Sequence, residues 1–265
     1  MSLSSTHNGW DTRTVGPVDA PRTVLLLPGA LCSAEFYEDV IAEPALAGVR
    51  LVAVTVPGWT GTTPLADLSL ESYARAVARV AADFGADVMV GHSLGANYAL
   101  EAAALGVFSG PVVLLSASFS HEDEAKALGV LNTIGKVPLL GGLTWWVALK
   151  GMPVMMKRQL PGARADVLAA ELAKNVPSFC RKATRPYFEY LDRYGSLVPR
   201  LCESGVKAWV VFGSDDEIGL KDEERRGLEA CPGVTMATVE GTHMFLVEQP
   251  AQTAAVIAQA VAAVG

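Results

Sequence analysis

The chain has 265 residues, of which 51% are hydrophobic and 18% charged, and its formal net charge at pH 7 is −7. This length is common for a single α/β domain. The acidic balance, without a stripe of lysine and arginine, argues against nucleic acid as a partner. No uninterrupted apolar run reaches the roughly 18 residues that a transmembrane helix needs, so no membrane span is expected.

Residues 1–20 are polar and lack the apolar core of a secretory signal. They are predicted to form a flexible tail or an edge strand. The four cysteines, Cys32, Cys180, Cys202 and Cys231, show no paired spacing. We expect them to be reduced, buried thiols in a cytoplasmic protein.

Apolar, β-branched segments then alternate with helical patterns along the chain. Strands are predicted at residues 23–27, 49–56, 87–91, 111–115, 207–213 and 234–240. Helical patterns occupy residues 70–84, 94–105 and 251–264. Near-continuous apolar strands that alternate with helices predict an α/β fold with a mostly parallel, doubly wound sheet covered on both faces.

The alternation is interrupted once, between Ser118 and about Asp192, where no strand is predicted. Helical patches such as residues 165–175 are separated there by glycines and prolines. We interpret residues 119–192 as a helical cap inserted into a core formed by residues 21–118 and 193–265. This insertion has ten Lys/Arg against seven Asp/Glu, so it carries +3 while the remainder carries −10. A solvated surface would explain this bias, and a mildly basic lid for anionic or amphiphilic ligands is the sharper hypothesis.

The sequence Gly91-His92-Ser93-Leu94-Gly95 ends a predicted strand and begins a predicted helix. A reversal this tight strains its central residue, and the flanking glycines remove the Cβ clashes that would forbid it. The serine hydroxyl would project from the carboxyl end of the sheet above a helix N-terminus, whose N–H groups can stabilise an oxyanion. This geometry suits a nucleophile, although the motif alone is weakly specific.

A nucleophilic serine needs a base, and the chain has only four histidines. His7 lies in the polar N-terminal segment, and His121 begins the insertion. His92 is next to Ser93 in sequence and is predicted to point away from it. His243 lies in a short loop between the last strand and the C-terminal helix, from which an imidazole can reach the carboxyl edge of the sheet.

The base in turn needs an acid that orients it. Asp215, Asp216 and Glu217 directly follow the predicted strand at residues 207–213. We favour Asp216 and interpret Asp215 as a turn or cap residue and Glu217 as solvated, because an acidic cluster at a helix start explains two of the three.

The chain order Ser93, Asp216, His243 resembles that of the α/β-hydrolase superfamily. GHSLG is similar to the nucleophile elbow of that family, FGSDDEI to its acid loop, and GTHMFLVEQP to its histidine loop. The segment LLLPGALCSAEFY resembles the oxyanion loop, with Pro28 where a histidine is common. The resemblance covers nearly the whole chain from about Pro21 and implies the α/β-hydrolase fold with a helical cap.

The resemblance implies a serine hydrolase that needs no cofactor and cleaves a carboxylic ester, thioester or lactone. The oxyanion donors would be the N–H groups of Ala30 and Leu94, with Leu31 as an alternative to Ala30. The segment VPGWTGTTPL is similar to a pocket-shaping loop of the family. A largely apolar substrate group is expected, because large side chains of residues 139–156, in a segment broken by glycines and Pro153, would line the cleft. Candidates to contact the substrate are Leu31, Trp59, Trp145, Trp146, Met155 and Met244.

No metal site is expected, because the histidines lack ligand spacing and the cysteines are isolated. Two other classes of function stay open. One is a cofactor-free, non-hydrolytic enzyme of the same fold, such as an acyltransferase, a cyclase or a perhydrolase of the haloperoxidase type. The other is a receptor-like protein that binds a ligand without turnover, which the complete Ser/Asp/His set disfavours. The apolar cap residues could also seal the cap onto the core or pair two chains as a homodimer.

Overall fold

A single twisted sheet forms the centre of the molecule. The structure is a computed structural model that describes residues 3–7, 9–137, 139–160 and 162–265. Within these ranges the chain forms eight strands, which are β1 (Leu3–His7), β2 (Trp10–Val15), β3 (Thr23–Leu27), β4 (Arg50–Thr55), β5 (Val88–His92), β6 (Val112–Leu115), β7 (Ala208–Gly213) and β8 (Val234–Val239). The strand order is β1-β2-β4-β3-β5-β6-β7-β8.

Six neighbouring strands of this sheet pair in parallel, namely β4, β3, β5, β6, β7 and β8. This parallel part carries the candidate site. All residues of β3, β5, β6 and β7 are buried. Strands covered on both faces need apolar side chains on both, which is why they are near-continuous runs of Val, Leu and Met. The six predicted strands are therefore confirmed, each to within one residue at either end.

The N-terminal segment is part of the sheet rather than a tail. β1 pairs antiparallel with β2, and β2 pairs antiparallel with β4. Of the two alternatives for residues 1–20, the structure has the edge strand, and the flexible tail is wrong for the residues in β1 and β2. Trp10 and Thr12 are buried while the residue between them is exposed, which is the alternation of an antiparallel edge.

Helices cover both faces of the sheet. The described residues form eleven α-helices, which are α1 (Glu38–Ile41), α2 (Leu70–Phe84), α3 (Leu94–Ala104), α4 (Lys126–Gly135), α5 (Leu140–Gln159), α6 (Ala163–Ala173), α7 (Pro177–Tyr194), α8 (Val198–Ser204), α9 (Asp222–Glu229), α10 (Phe245–Glu248) and α11 (Pro250–Ala262). Apolar side chains of α2, α3 and α8 pack on one face. Those of α1, α10 and α11 pack on the other, which gives the doubly wound arrangement predicted from the sequence.

The stretch between β6 and β7 is helical, as predicted, and holds α4 to α8, of which α4 to α7 begin within residues 119–192. The prediction that glycines and Pro153 break residues 139–156 is wrong, because α5 is one helix of 20 residues that runs through them. Gly141 is needed where α4 and α5 meet, since a Cβ there would lie 2.6 Å from the carbonyl oxygen of Gly135. The close approach of the two helices therefore holds a glycine-containing segment in helical form.

Two of the four cysteines are not free thiols. Cys202 at the end of α8 and Cys231 before β8 form a disulfide, with their Cα atoms 5.5 Å apart. Cys32 and Cys180 are free and buried. The expectation of four reduced cysteines is wrong for this pair, because the fold brings together residues 29 positions apart in the chain. The expectation of a cytoplasmic protein rested partly on four reduced cysteines, and the disulfide removes that part of the reasoning.

Candidate active site

Ser93 occupies a sharp corner between β5 and α3. Its φ of 52° and ψ of −123° lie in a backbone region that residues other than glycine rarely adopt. The two glycines of the motif are required by sterics, since a Cβ on Gly91 would lie 2.2 Å from the carbonyl oxygen of Gly95. A Cβ on Gly95 would lie 2.5 Å from the carbonyl oxygens of Leu27 and Pro28 at the end of β3. The corner therefore presents the serine at the carboxyl edge of the sheet, as the sequence predicts.

His243 and Asp216 are brought together from two loops at the same edge. The Nδ1 atom of His243 lies 2.9 Å from Oδ1 of Asp216. The Asp216 side chain is 2% exposed and that of His243 is 22% exposed. Because Asp216 is an ionised acceptor, the Nδ1–H of His243 must donate, which leaves Nε2 of the neutral ring free to accept a proton.

Asp216 stays ionised although it is buried. Burial raises its pKa, but the hydrogen bond and charge of His243, the Ser116 hydroxyl and the Ile218 N–H outweigh burial and hold the pKa below its ordinary value. The Ile218 N–H donates to Oδ1 at 2.9 Å, and the Ser116 hydroxyl donates to Oδ2. Asp215, by contrast, is exposed and accepts a hydrogen bond from the hydroxyl of Ser214. The geometry therefore favours Asp216 over its neighbour as the partner of His243.

The loop that carries His243 is held at several points, one of them the Gly241 N–H, which donates to the Ser214 hydroxyl at 3.2 Å. Glu248 accepts hydrogen bonds of 2.8 Å from the N–H and the hydroxyl of Thr242. His92 Nε2–H donates to the main-chain carbonyl oxygen of His243 at 2.8 Å, and the two imidazole rings lie 4.8 Å apart. Burial, assisted by the charge of His243, lowers the pKa of His92 to about 3, so its ring is neutral. The ring of His92 thus bonds the loop of His243 and lines the cavity that also contains Ser93.

Ser93 and His243 line one cavity together with His92. Among the described residues, no hydrogen bond joins the Ser93 hydroxyl to His243. In resting enzymes such a bond is often long and shortens when substrate binds. The candidate nucleophile and base therefore share one water-accessible space at the carboxyl edge of the sheet, with Asp216 buried behind His243.

The loop after β3 lies directly against the serine corner. A Cβ on Gly29 would lie 3.0 Å from Nδ1 of His92 and 3.0 Å from Cβ of Ser93. The next residues, Ala30 and Leu31, line the same cavity, and Leu31 has a φ of 68°. Among the described residues, no acceptor receives a hydrogen bond from the N–H of Ala30 or of Leu94. Both groups are thus available to a negatively charged oxygen at the serine.

Two cavities meet at Ser93. The outer cavity has a volume of about 360 Å³ and is lined by Gly29, Ala30, Leu31, Cys32, Phe36, His92, Ser93, Met152, Met155, Met156, Leu172, Asp215, Glu217, Thr242, His243 and Met244. The inner cavity has a volume of about 70 Å³ and is lined by Ala30, Leu31, Trp59, Ser93, Leu94, Glu124, Leu128, Trp145, Met152, Ala183, Thr184 and Tyr187. The helical insertion supplies one wall of each cavity, and the core supplies the other.

Most of the predicted substrate-contacting residues lie at these cavities. Leu31 lines both, Trp59 and Trp145 line the inner one, and Met155 and Met244 line the outer one. Trp146 lines neither. It is 52% exposed, because the helix that buries Trp145 turns its successor about 100° away, so its prediction as a substrate contact is wrong.

The comparison with protein families identifies the chain. The family model described as the alpha/beta hydrolase family matches residues 24–256. The chain belongs to the alpha/beta hydrolase family. A comparison with curated protein sequences found no match.

Solved structures of other family members have the same fold. The chain is similar to the esterase RhEst1 from Rhodococcus sp. ECU1013, with 20% identity, a TM-score of 0.71 and coverage of 100% of this chain and 98% of that one. It is similar to a carboxylesterase structure from Nitrososphaera gargenis, with 17% identity, a TM-score of 0.71 and coverage of 100% and 98%. It is also similar to an AqdC variant that cleaves the ring of the Pseudomonas quinolone signal, with 19% identity, a TM-score of 0.73 and coverage of 99% of each chain.

Sequence reasoning missed three polar residues of this hydrolase site. Ser116 follows β6 directly and bonds Asp216, and a polar residue at the carboxyl end of a central strand is the signal that could have found it. His92 supports the loop of His243. Glu124 lies at the inner cavity, where it accepts hydrogen bonds from the hydroxyls of Tyr187 and Ser118, a pairing that no sequence pattern indicates.

In the part of the chain that the structure describes, no group of three or more His, Cys, Asp and Glu side chains could hold a metal ion.

Proposed function

We propose that this protein is a serine hydrolase that cleaves a carboxylic ester, thioester or lactone with a largely apolar acyl or alkyl group. The observation that carries the proposal is the hydrogen bond between His243 and buried Asp216, at a cavity that also contains the strained Ser93 corner. Nucleophile, base and acid then follow the logic of a Ser-His-Asp triad. The esterase and carboxylesterase among the similar structures agree with this class of reaction.

In the first half of the reaction, the Ser93 oxygen attacks the substrate carbonyl carbon while its proton passes to Nε2 of His243. Asp216 keeps the proton of the ring on Nδ1 and stabilises the charged imidazolium. The N–H groups of Ala30 and Leu94 stabilise the oxyanion. The bond to the leaving alcohol or thiol then breaks, and His243 returns the proton to that leaving group, which gives an acyl-enzyme on Ser93.

In the second half, water takes the place of the leaving group. His243 accepts a proton from the water, whose oxygen attacks the acyl carbon, and the same two N–H groups stabilise the second oxyanion. The bond between the acyl carbon and the Ser93 oxygen breaks, and the proton returns to Ser93. Atoms and charge balance without a cofactor.

The two cavities suggest how the substrate is divided around Ser93. The inner cavity is small and bounded by the rings of Trp59, Trp145 and Tyr187, so it suits a short apolar group. The outer cavity is larger and opens past the methionines of α5, so it suits the bulkier part of the substrate. The helical insertion acts as the cap in this arrangement.

The proposal is tested with a fluorophosphonate probe and p-nitrophenyl esters. The probe should label the wild-type protein and fail to label Ser93→Ala, which should keep its fold and lose turnover by about three or more orders of magnitude. Near-normal ester cleavage by Ser93→Ala would contradict the mechanism.

The choice of acid is tested with a matched pair of neighbours. Asp216→Asn should lower kcat by about two or more orders of magnitude, because an amide no longer holds His243 in the required tautomer. Asp215→Asn removes an equal charge from an exposed carboxylate and should change kcat less than about threefold. A larger loss in Asp215→Asn than in Asp216→Asn would mean that Asp215 is the acid.

A further inference from the structure

Helix α5 turns a row of large apolar side chains outward. Exposed fractions are 52% for Leu140, 59% for Leu143, 52% for Trp146, 55% for Val147 and 52% for Val154. We refer to these five residues as the α5 outer face. An isolated exposed apolar residue is ordinary, but a contiguous row marks a surface that binds something.

The spacing of the row shows that it is one face of the helix. Leu143, Val147 and Val154 are three, seven and fourteen positions after Leu140, so these four lie within about 60° of one another. Trp146 lies at the edge of this sector, about 60° beyond Leu143. The opposite face packs inward through Trp145 and Leu149, which are 2% and 6% exposed. The outer face is therefore additional to the packing that holds α5 in place.

The charge around this face is one-sided. Residues 126–165, which include all of α4 and α5, contain six Lys/Arg and no Asp/Glu, in a chain whose net charge is −7. Two of the six, Lys157 and Arg164, pair with carboxylates outside this range, which leaves four basic residues to give the segment its positive charge. Lys150 is exposed in the middle of the row, and Arg158 is exposed at its end. Within the described ranges, neither residue forms an ion pair with a carboxylate. An apolar row with unbalanced basic residues and an exposed tryptophan is typical of helices that lie on anionic lipid.

We propose that the α5 outer face docks this protein onto the surface of an anionic lipid assembly. None of the helices in the described ranges could span a lipid bilayer. In the proposed arrangement, α5 lies along the lipid surface with its outer face in contact with it. A second copy of the chain is a poorer occupant. Two such faces packed against each other would bury Lys150 in an apolar contact, with no carboxylate of α4 or α5 to pair with it, and an unpaired buried charge is costly.

Docking in this orientation would place the outer cavity at the lipid surface. Met155 is half exposed and lines the outer cavity, as do Met152 and Met156 of the same helix. An amphiphile that leaves the lipid surface would thus enter past α5. The docking itself rests on the α5 outer face and does not depend on the proposed hydrolysis.

The test measures binding to vesicles, with Ser93→Ala as the background so that no lipid is consumed. The protein should sediment with vesicles of phosphatidylcholine and phosphatidylglycerol and bind at least tenfold less to phosphatidylcholine alone. Raising NaCl to about 1 M should weaken binding, because the Debye length shortens to about 3 Å. Lys150→Gln should lower the partition coefficient about fivefold, the loss of one basic charge near the surface.

Val147→Glu and Val18→Glu form the matched pair. Val18 is 81% exposed outside the insertion, so both changes place a carboxylate at an exposed valine. Val147→Glu should lower the partition coefficient tenfold or more, and Val18→Glu less than twofold, with unchanged circular dichroism in both. Equal binding of the two variants, or no binding of the parent to mixed vesicles, would overturn the proposal. A dimer that Val147→Glu dissociates, without vesicle binding, would also overturn it and assign the face to a second copy.

Discussion

Replacing Ser116 by alanine removes the hydroxyl that bonds the buried acid of the proposed triad. Ser116 has a φ of 52°, and alanine bears the same penalty there, so the change does not alter the backbone strain. The side chain is fully buried and lies at the end of β6. The perturbation is therefore confined to one hydrogen bond.

The size of the effect follows from the partners of Asp216. Its Oδ1 accepts from His243 and Ile218, whereas its Oδ2 accepts from Ser116 and from no other described residue. A hydrogen bond to a charged group contributes about 1.5–3 kcal/mol. If most of this is lost in the transition state, kcat/KM falls about ten- to a hundredfold. Because the Ser116 hydroxyl also helps to lower the pKa of Asp216, that pKa should rise in the variant.

The assay is kcat and KM for p-nitrophenyl butyrate, with the free energy of unfolding measured in urea on the same samples. The matched control is Ser204→Ala, since the Ser204 hydroxyl bonds the carbonyl oxygen of Leu201 in α8, a helix that lines neither cavity. The control should retain kcat/KM within about twofold. A Ser116→Ala protein whose kcat/KM equals that of the control would refute the inference that this hydroxyl positions the acid.

Three further predictions concern His92, a buried ion pair and the inner cavity. Since the pKa of His92 is about 3 in the folded protein and about 6.5 in the unfolded chain, stability should fall as the pH drops from 6.5 toward 3. In His92→Gln, the free energy of unfolding measured in urea should fall less steeply over this pH range than in the wild type, by about 1.4 kcal/mol per pH unit. Arg200→Met should lower the free energy of unfolding by about 3–5 kcal/mol, because it leaves the fully buried carboxylate of Glu101 without its charged partner. Replacement of both residues by methionine should cost much less in the same urea assay. Specificity for p-nitrophenyl esters should rise about fourfold per acyl carbon until the cavity is full. Trp145→Phe should extend that rise by about one carbon, and Trp146→Phe should leave it unchanged.

The strands and the serine corner could be predicted because each depends on local sequence. The apolar runs at residues 23–27 and 87–91 have too few polar residues to face water on either side. The sequence left residues 1–20 as either a flexible tail or an edge strand, because these residues are polar. In the structure β2 is only partly buried, so it lacks the apolar run that marks a central strand. Asn8-Gly9, the dipeptide favoured in two-residue hairpin turns, lies between these strands and was the missed signal.

Contacts between distant segments could not be predicted from local patterns. Ser116 is 100 positions from Asp216, and the two meet only because β6 and β7 are neighbours in the sheet. The disulfide between Cys202 and Cys231 depends in the same way on where α8 lies against the start of β8. The prediction for α5 failed for a different reason, since Gly141, one of the glycines that argue against a helix, is the residue that lets α5 approach Gly135 of α4.

The sheet explains how the three loops of the site are placed so closely. In each loop, the first residue beyond the strand continues the ladder of the sheet. The N–H of Ser93 donates to Leu115, that of Ser116 to Val211 and that of Ser214 to Val239, each at 2.8 Å. Of the proposed triad, Ser93 is itself such an anchor and Asp216 lies two residues after one, whereas His243 lies farther from the end of β8.

His243 therefore needs support beyond the strand ladder, and His92 provides part of it. The ring of His92 is anchored at the end of β5, bonds the carbonyl oxygen of His243 and lies against Gly29 in the loop after β3. A protonated ring there would face the imidazolium that forms on His243 in the proposed reaction. Because burial keeps His92 neutral, it can fix the loop without opposing that charge.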